Sequence, residues 1–178
     1  MKNALRFLFI PVIALLFAGK VASAGNADEA KNFLSSAEVK FGKGDFQGAI
    51  TDDTKAIQLD PAFAEAYSNR AAAKFSLGDK QGALADYSKA IELDPKSPDA
   101  WNNRGTAKSE TGDKEGAIAD YTRAIGLDPA FVPAYMNRAA VKLDLEDRQG
   151  VIADLSQAAK LGNPGAQQWL KNNGVAGW

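Results

Sequence analysis

The chain has 178 residues, with 21 Lys and Arg against 22 Asp and Glu, 16 Gly, 7 Pro, and neither His nor Cys. Without His and Cys the commonest general base, the thiol nucleophile and nearly all zinc sites are excluded, and no cofactor is expected. The formal charge of −1 gives no net basic charge to attract nucleic acid, which is not an expected partner.

The first element is a targeting segment. Lys2 and Arg6 precede an apolar run from Phe7 to Ala18, and Ala22-Ser23-Ala24 supplies the small-x-small pattern of a cleavage site. Twelve apolar residues that include Pro11 fall short of the about 20 needed to span a bilayer, so residues 1–24 read as a signal peptide cut between Ala24 and Gly25. With no Cys, no lipid can be attached to the new N-terminus. Losing Lys2, Arg6 and Lys20 leaves 18 basic and 22 acidic residues, a charge of −4. The mature chain is expected in an exported space without a stable membrane anchor, the bacterial periplasm being the simplest choice.

After a short segment, 25–29, the chain repeats itself. Asp60-Pro61, Asp94-Pro95 and Asp128-Pro129 stand 34 residues apart, and Asn69-Arg70, Asn103-Arg104 and Asn137-Arg138 keep that period. Residues 64–97 and 98–131 share 18 identities in 34. The register extends back over 30–63, which keeps Gly44, Asp45, Gly48, Ala49 and Ala56. It extends forward over 132–165, where Glu146 replaces the repeat's Gly and Gly162-Asn163 replaces Asp-Pro. Each unit predicts helix, turn, helix. In the second, Tyr67, Ala71 and Phe75 recur every four residues, Gly78-Asp79 interrupts, and Leu84, Tyr87, Ile91 and Leu93 resume a stripe that stops at Asp94-Pro95. Gly78 suits a left-handed helix end, Asp79 a cap, and Pro95 disfavours helix at Asp94. Asn163-Pro164 opens a closing helix, 166–173, with Ala166, Trp169 and Leu170 on its apolar side and Gln167, Gln168, Lys171 and Asn172 toward water. Residues 174–178 form a tail.

Trp101, Gly105, Ala117, Tyr121, Ala124 and Pro129, with equivalents in the other units, resemble the tetratricopeptide repeat pattern. The chain departs from that pattern twice: Arg70, Arg104 and Arg138 stand where Leu is usual, and Lys40, Lys74, Lys108 and Lys142 where Tyr is usual. The resemblance implies an all-α, right-handed solenoid of four helix-turn-helix repeats plus the capping helix. It also implies a non-enzymatic module that binds a protein or peptide in a concave groove. A structural scaffold acting through its ends or convex face, with self-association, is the alternative.

The first helices carry the candidate groove residues. By the resemblance these are Ser35, Asn69, Asn103 and Asn137, with Lys31, Glu65, Asp99 and Thr106 around them and Phe41, Phe75, Leu34 and Met136 as apolar contacts. Asn offers both a donor and an acceptor to an extended backbone. The three-Asn row resembles, in that local feature only, the asparagine ladder in the repeat domain of O-linked N-acetylglucosamine transferases. The acidic neighbours disfavour acidic ligands. Asp52, Asp86, Asp120 and Asp154 recur on the second helices. Each Arg therefore has two candidate partners, Asp86 or Asp52 in the case of Arg70, and spacing alone does not choose between them. Asp52-Asp53 and Glu146-Asp147 read as solvated charge.

Overall fold

A computed structural model describes residues 24–177. Among them run α1 (Ala24–Gly42), α2 (Phe46–Leu59), α3 (Ala64–Ser76), α4 (Lys80–Leu93), α5 (Pro98–Glu110), α6 (Lys114–Leu127), α7 (Val132–Asp144), α8 (Arg148–Lys160) and α9 (Pro164–Asn172). The apolar run and Ala22-Ser23 of the signal reading lie outside the described residues. Residues 25–29, expected as a separate segment, are instead the opening turns of α1. No Pro interrupts Asn26–Gly42, and Ala30 and Leu34 bury one side of the helix, so nothing delays it.

The same punctuation shapes each helix pair. Gly44, Gly78 and Gly112 take φ of +80°, +85° and +91°, a conformation that costs L side chains but not Gly. The next residue, Asp45, Asp79 or Asp113, caps the second helix by accepting from the backbone N–H three residues on, at 2.9–3.0 Å. Asp147 caps α8 in the same way, at 2.9 Å. The donor is Gly each time, because a Cβ there would collide with the cap carboxylate. Three second helices end at Asp60, Asp94 and Asp128, with φ of −134°, −130° and −134° ahead of Pro. In the fourth pair Glu146 is forced to φ +60° where its equivalents are Gly.

Small residues let the helices approach. Ala71, Ala83, Ala117 and Ala124 are fully buried, with Tyr87 and Tyr121 filling the gaps between them. Opposite Tyr121 stands Gly105, where a Cβ would lie 2.8 Å from the ring. Each helix packs on its neighbours in sequence, and first helices also touch one another, α1 with α3, α3 with α5 and α5 with α7. That extra contact places the first helices on the inner, concave side of the solenoid. At the far end α9 buries Ala166 and Leu170 against Tyr135, Val151 and Leu155, while Trp169 is only partly covered. Burying Leu170 is worth about 1.5–3 kcal/mol. Gln167, expected to face water, is partly buried and donates to the Ala159 carbonyl at 3.1 Å. Among the described residues no helix is long and apolar enough to cross a membrane.

Candidate functional site

The charged rows settle first, because they decide which side chains are free to act. Arg70 Nε and Nη2 donate to both oxygens of Asp86 at 2.8 Å. Arg104 grips Asp120 at 2.7 and 2.8 Å, and Arg138 grips Asp154 at 2.9 and 2.5 Å. The ion pair is therefore within the repeat. The remaining Nη1 reaches back to the preceding second helix, to the hydroxyls of Thr54, Ser88 and Thr122 at 3.2, 3.3 and 2.8 Å. Each Arg is thus a clamp between two repeats, charged on one arm and neutral on the other.

A second cation joins each carboxylate. Lys74, Lys108 and Lys142 lie 2.7, 3.0 and 2.8 Å from Asp86, Asp120 and Asp154. In the first repeat, which has Ser36 where the others have Arg, Asp52 accepts from Ser36 at 2.7 Å and from Lys40 at 2.6 Å. Asp52 is thus paired although its own repeat has no Arg. Sequence reasoning noted these lysines only as departures from tyrosine, and the constant twelve-residue interval from Lys to Asp was the signal that it missed. Burial raises the Asp86 carboxyl, but hydrogen bonds from Arg70 and Lys74 outweigh it and hold the group below its ordinary value. With side chains 15–17% exposed and their donors committed, the arginines form a structural row rather than an anion site.

Asn69, Asn103, Glu65 and Asp99 come together on the concave side, lining one cleft between α3 and α5 with Ala64 and Ser68. The cleft has a volume of about 370 Å³. Asn137 is placed differently, donating to Asn102 at 2.9 Å, while Asn102 donates to Asn103 at 3.2 Å. Asn102 is buried and links two rungs of the row. Ser68 and Met136 occupy its place in the neighbouring repeats, so no period pointed to it. Asn69 makes a long 3.4 Å bond to Glu38.

The apolar candidates divide. Phe75 packs on Ala71, Ala83 and Tyr87, Met136 on the core of the last repeat, and Leu34 is buried, so these serve packing first. Thr106 is tied down by accepting from the Tyr121 hydroxyl at 3.3 Å and donating to the Asn102 carbonyl at 3.2 Å. Phe41 remains available, 39% exposed and edge-on to Phe46. Ser35 and Lys31 are exposed on α1.

One carboxylate departs from expectation. The Asp52-Asp53 pair, read as solvated, is buried, and Asp53 is 0% exposed with no hydrogen-bond partner for either oxygen. Burial pushes its carboxyl up to about 7; Arg70 pulls the other way, and Asp52, Glu38 and Asp86 add to the rise. Asp53 stands 34 residues before Tyr87 and 68 before Tyr121, at the position those rings fill. A cavity of about 140 Å³ lies there, lined by Ala37, Glu38, Phe41, Asp53, Asn69 and Ala72. Among the described residues no cluster of three or more acidic side chains is placed to hold a metal ion.

Models of the tetratricopeptide repeat match residues 37–78, 73–112 and 98–131, which together span 37–131. No curated protein sequence matches the chain. Solved structures similar to it include MamA (25% identity, TM-score 0.70, 78% of this chain and 81% of that one). The TPR domain of Arabidopsis OM64 is 29% identical, with TM-score 0.65 over 67% of this chain and 99% of that one. The first TPR domain of Spaghetti (RPAP3), solved with the HSP90 peptide SRMEEVD, is 27% identical, with TM-score 0.65 over 67% and 95%.

Proposed function

The chain belongs to the tetratricopeptide repeat family, whose repeats mediate protein–protein interaction, and from that premise we propose that it is an exported, non-enzymatic module holding an extended segment of a partner protein on its concave face. The observation that carries this reading is the cleft between α3 and α5, where Asn69, Asn103, Glu65 and Asp99 converge. Its amides suit a peptide backbone of any sequence, and its carboxylates select what the side chains carry.

The charge of the segment follows. The peptide bound by the RPAP3 domain, SRMEEVD, carries three acidic residues in its last four. Here Glu38, Glu65 and Asp99 lie on or beside the groove and, among the described residues, Lys31 alone opposes them, so a neutral or basic segment is the fitting ligand. First helices packed roughly 10 Å apart place successive rungs about three extended residues apart at roughly 3.3 Å each. The row therefore spans six or seven residues by that rough spacing. Rung hydrogen bonds of about 0.5–1.5 kcal/mol each fall short of the roughly 8 kcal/mol of a micromolar complex, so side-chain pockets must supply the rest.

Export rests on Lys2, Arg6, the apolar run and Ala22-Ser23-Ala24. Mass spectrometry of a periplasmic fraction should find an N-terminus at Gly25; Met1 on a membrane-bound protein would contradict it. A scaffold acting through its ends is favoured by Leu143, Leu145 and Leu161, which are 55%, 42% and 37% exposed in the last repeat. Light scattering separates the readings, because a scaffold should exceed monomer mass without ligand. For the groove, replacing Asn69, Asn103 and Asn137 together with Ala should weaken a captured partner by about ten- to a thousandfold, and the melting temperature should fall as well, because the buried Asn102 loses both its side-chain partners. Equal affinities would remove the groove from the account.

A further inference from the structure

We propose that the cavity over Asp53 is a specificity pocket for a lysine side chain of the bound segment, a primary ammonium on an apolar stem. The proposal rests on the groove reading above, because the cavity opens on the same concave face, between α1 and α3, and shares Asn69 with the cleft.

The position explains the space. At the equivalent point of the next two repeats Tyr87 and Tyr121 bury a ring against small residues of the adjoining helices. In the first repeat the ring is replaced by the shorter Asp53, and the room it leaves is the 140 Å³ cavity. A packing site has become a hollow with a carboxylate on its wall.

The chemistry explains the occupant. A buried carboxylate without a partner is costly, and here neither oxygen is hydrogen-bonded. The nearby cation does not serve: the hydrogen bonds of Arg70 go to Asp86 and Thr54, and none reaches Asp53. The rest of the lining is apolar in Ala37, Ala72 and Phe41, and acidic or amide in Glu38 and Asn69. Methylenes suit the first group and an ammonium suits the second, with Asp53 and Glu38 supplying two negative charges to one cation. An anion would meet both carboxylates, and a purely apolar side chain would leave Asp53 unpaired.

Entry needs only side-chain movement. The Asn69–Glu38 bond is long at 3.4 Å, Glu38 is exposed, and Phe41 is 39% exposed, so all three can rotate without disturbing a helix. Binding is coupled to a proton. The free carboxyl titrates at about 7 in the field of Glu38 from α1, Asp52 from α2, Arg70 from α3 and Asp86 from α4. An arriving ammonium favours the ionised form, so affinity falls as pH drops below that value.

The test uses n-butylammonium as probe and the Asp53 carboxyl carbon, with the Ala37 and Ala72 amides, as NMR reporters. At pH 8 the wild-type chain should show saturable shifts with a dissociation constant on the order of 1 mM. Asp53→Asn should weaken binding by about tenfold or more, and so should lowering the pH to 5.5. Asp53→Tyr, which restores the ring of the second and third repeats, should fold and abolish the shifts. No saturable shift in the wild type, equal binding by Asp53→Asn, or tighter binding of p-cresol than of the amine would overturn the pocket. A second arm titrates an Ala/Ser peptide of about seven residues carrying a central Lys, and its norleucine counterpart. If the Lys peptide binds wild type and Asp53→Asn alike, the pocket is refuted while the groove stands. If butylammonium binds as expected but the peptide adds no affinity, the pocket stands and the groove reading fails.

Discussion

The first and third repeats are built in one register, yet their second helices do opposite things at one position. In the third, Tyr121 is 2% exposed and lies so close to Gly105 that a single methyl would press on it. In the first, Asp53 sits at that position beside an open cavity. Copying a repeat supplies the scaffold, and the place where a copy departs from its siblings supplies the chemistry. The same lesson holds for the cations: three repeats clamp Asp with Arg and Lys, whereas the first uses Ser36 and Lys40, and Asp53 feels the charge of Arg70 without a hydrogen bond to it.

The comparison breaks most severely if the third repeat is made to imitate the first. Tyr121→Asp removes a buried ring and leaves a carboxylate beside Gly105 with no ligand to satisfy it, so it should destabilise the fold by about 3–5 kcal/mol in urea unfolding. Arg104→Ala comes next. It breaks a bidentate pair to a buried Asp while Lys108 stays, for a loss of about 2–3 kcal/mol. A double-mutant cycle should show coupling of Arg104 with Asp120 and none with Asp86.

A pH series sharpens the comparison. Because the Asp53 carboxyl is raised to about 7, the folded chain holds a proton that the unfolded chain has released between about pH 4 and 7, and stability falls as pH rises through that window. Asp53→Asn should flatten this decline, by on the order of 1–3 kcal/mol in chemical denaturation at pH 5 and pH 8. Asp52 and Asp86 act in the opposite sense: burial raises them, but their Lys40 and Arg70 partners win and lower them. Their stabilisation is present at neutral pH and lost as pH falls below the ordinary carboxylate range. The smallest effect is at Glu146, held at φ +60° where the other repeats have Gly. Glu146→Gly should raise stability by about 1 kcal/mol, read as a higher melting temperature.

Much of the fold was legible because its signals are local and repeated. Gly78 and Asp79 announce a turn by their own backbone chemistry, and three copies of that pattern, with a fourth in which Glu146 stands for the Gly, leave little else to fold. The groove was less legible because it depends on which way a side chain turns. Phe75 and Met136 lie at the edge of the apolar stripe, and their neighbours draw them toward the core. The Asn137–Asn102 bond joins two residues with no shared period. Trp169 and Leu170 are adjacent on α9, yet Leu170 alone is fully buried, so Leu170→Ala rather than Trp169→Ala is the truncation that uncaps the stack. Asp53 was misread beside Asp52 even though its register with Tyr87 and Tyr121 was on view. Adjacent Asp residues ordinarily face water, and only the register with the two Tyr rings places Asp53 on the buried side of α2.

The central claim is that the partner lies along the first helices. A photocrosslinking amino acid placed at Glu65 or Asp99, on the concave cleft, is to be compared with one at Ala85 or Ala119, exposed on second helices, in the full chain produced in its native cell. The account predicts one adduct band shared by the positions of Glu65 and Asp99 and absent from those of Ala85 and Ala119. Adducts confined to Ala85 and Ala119 would place the interaction on the convex face and contradict it.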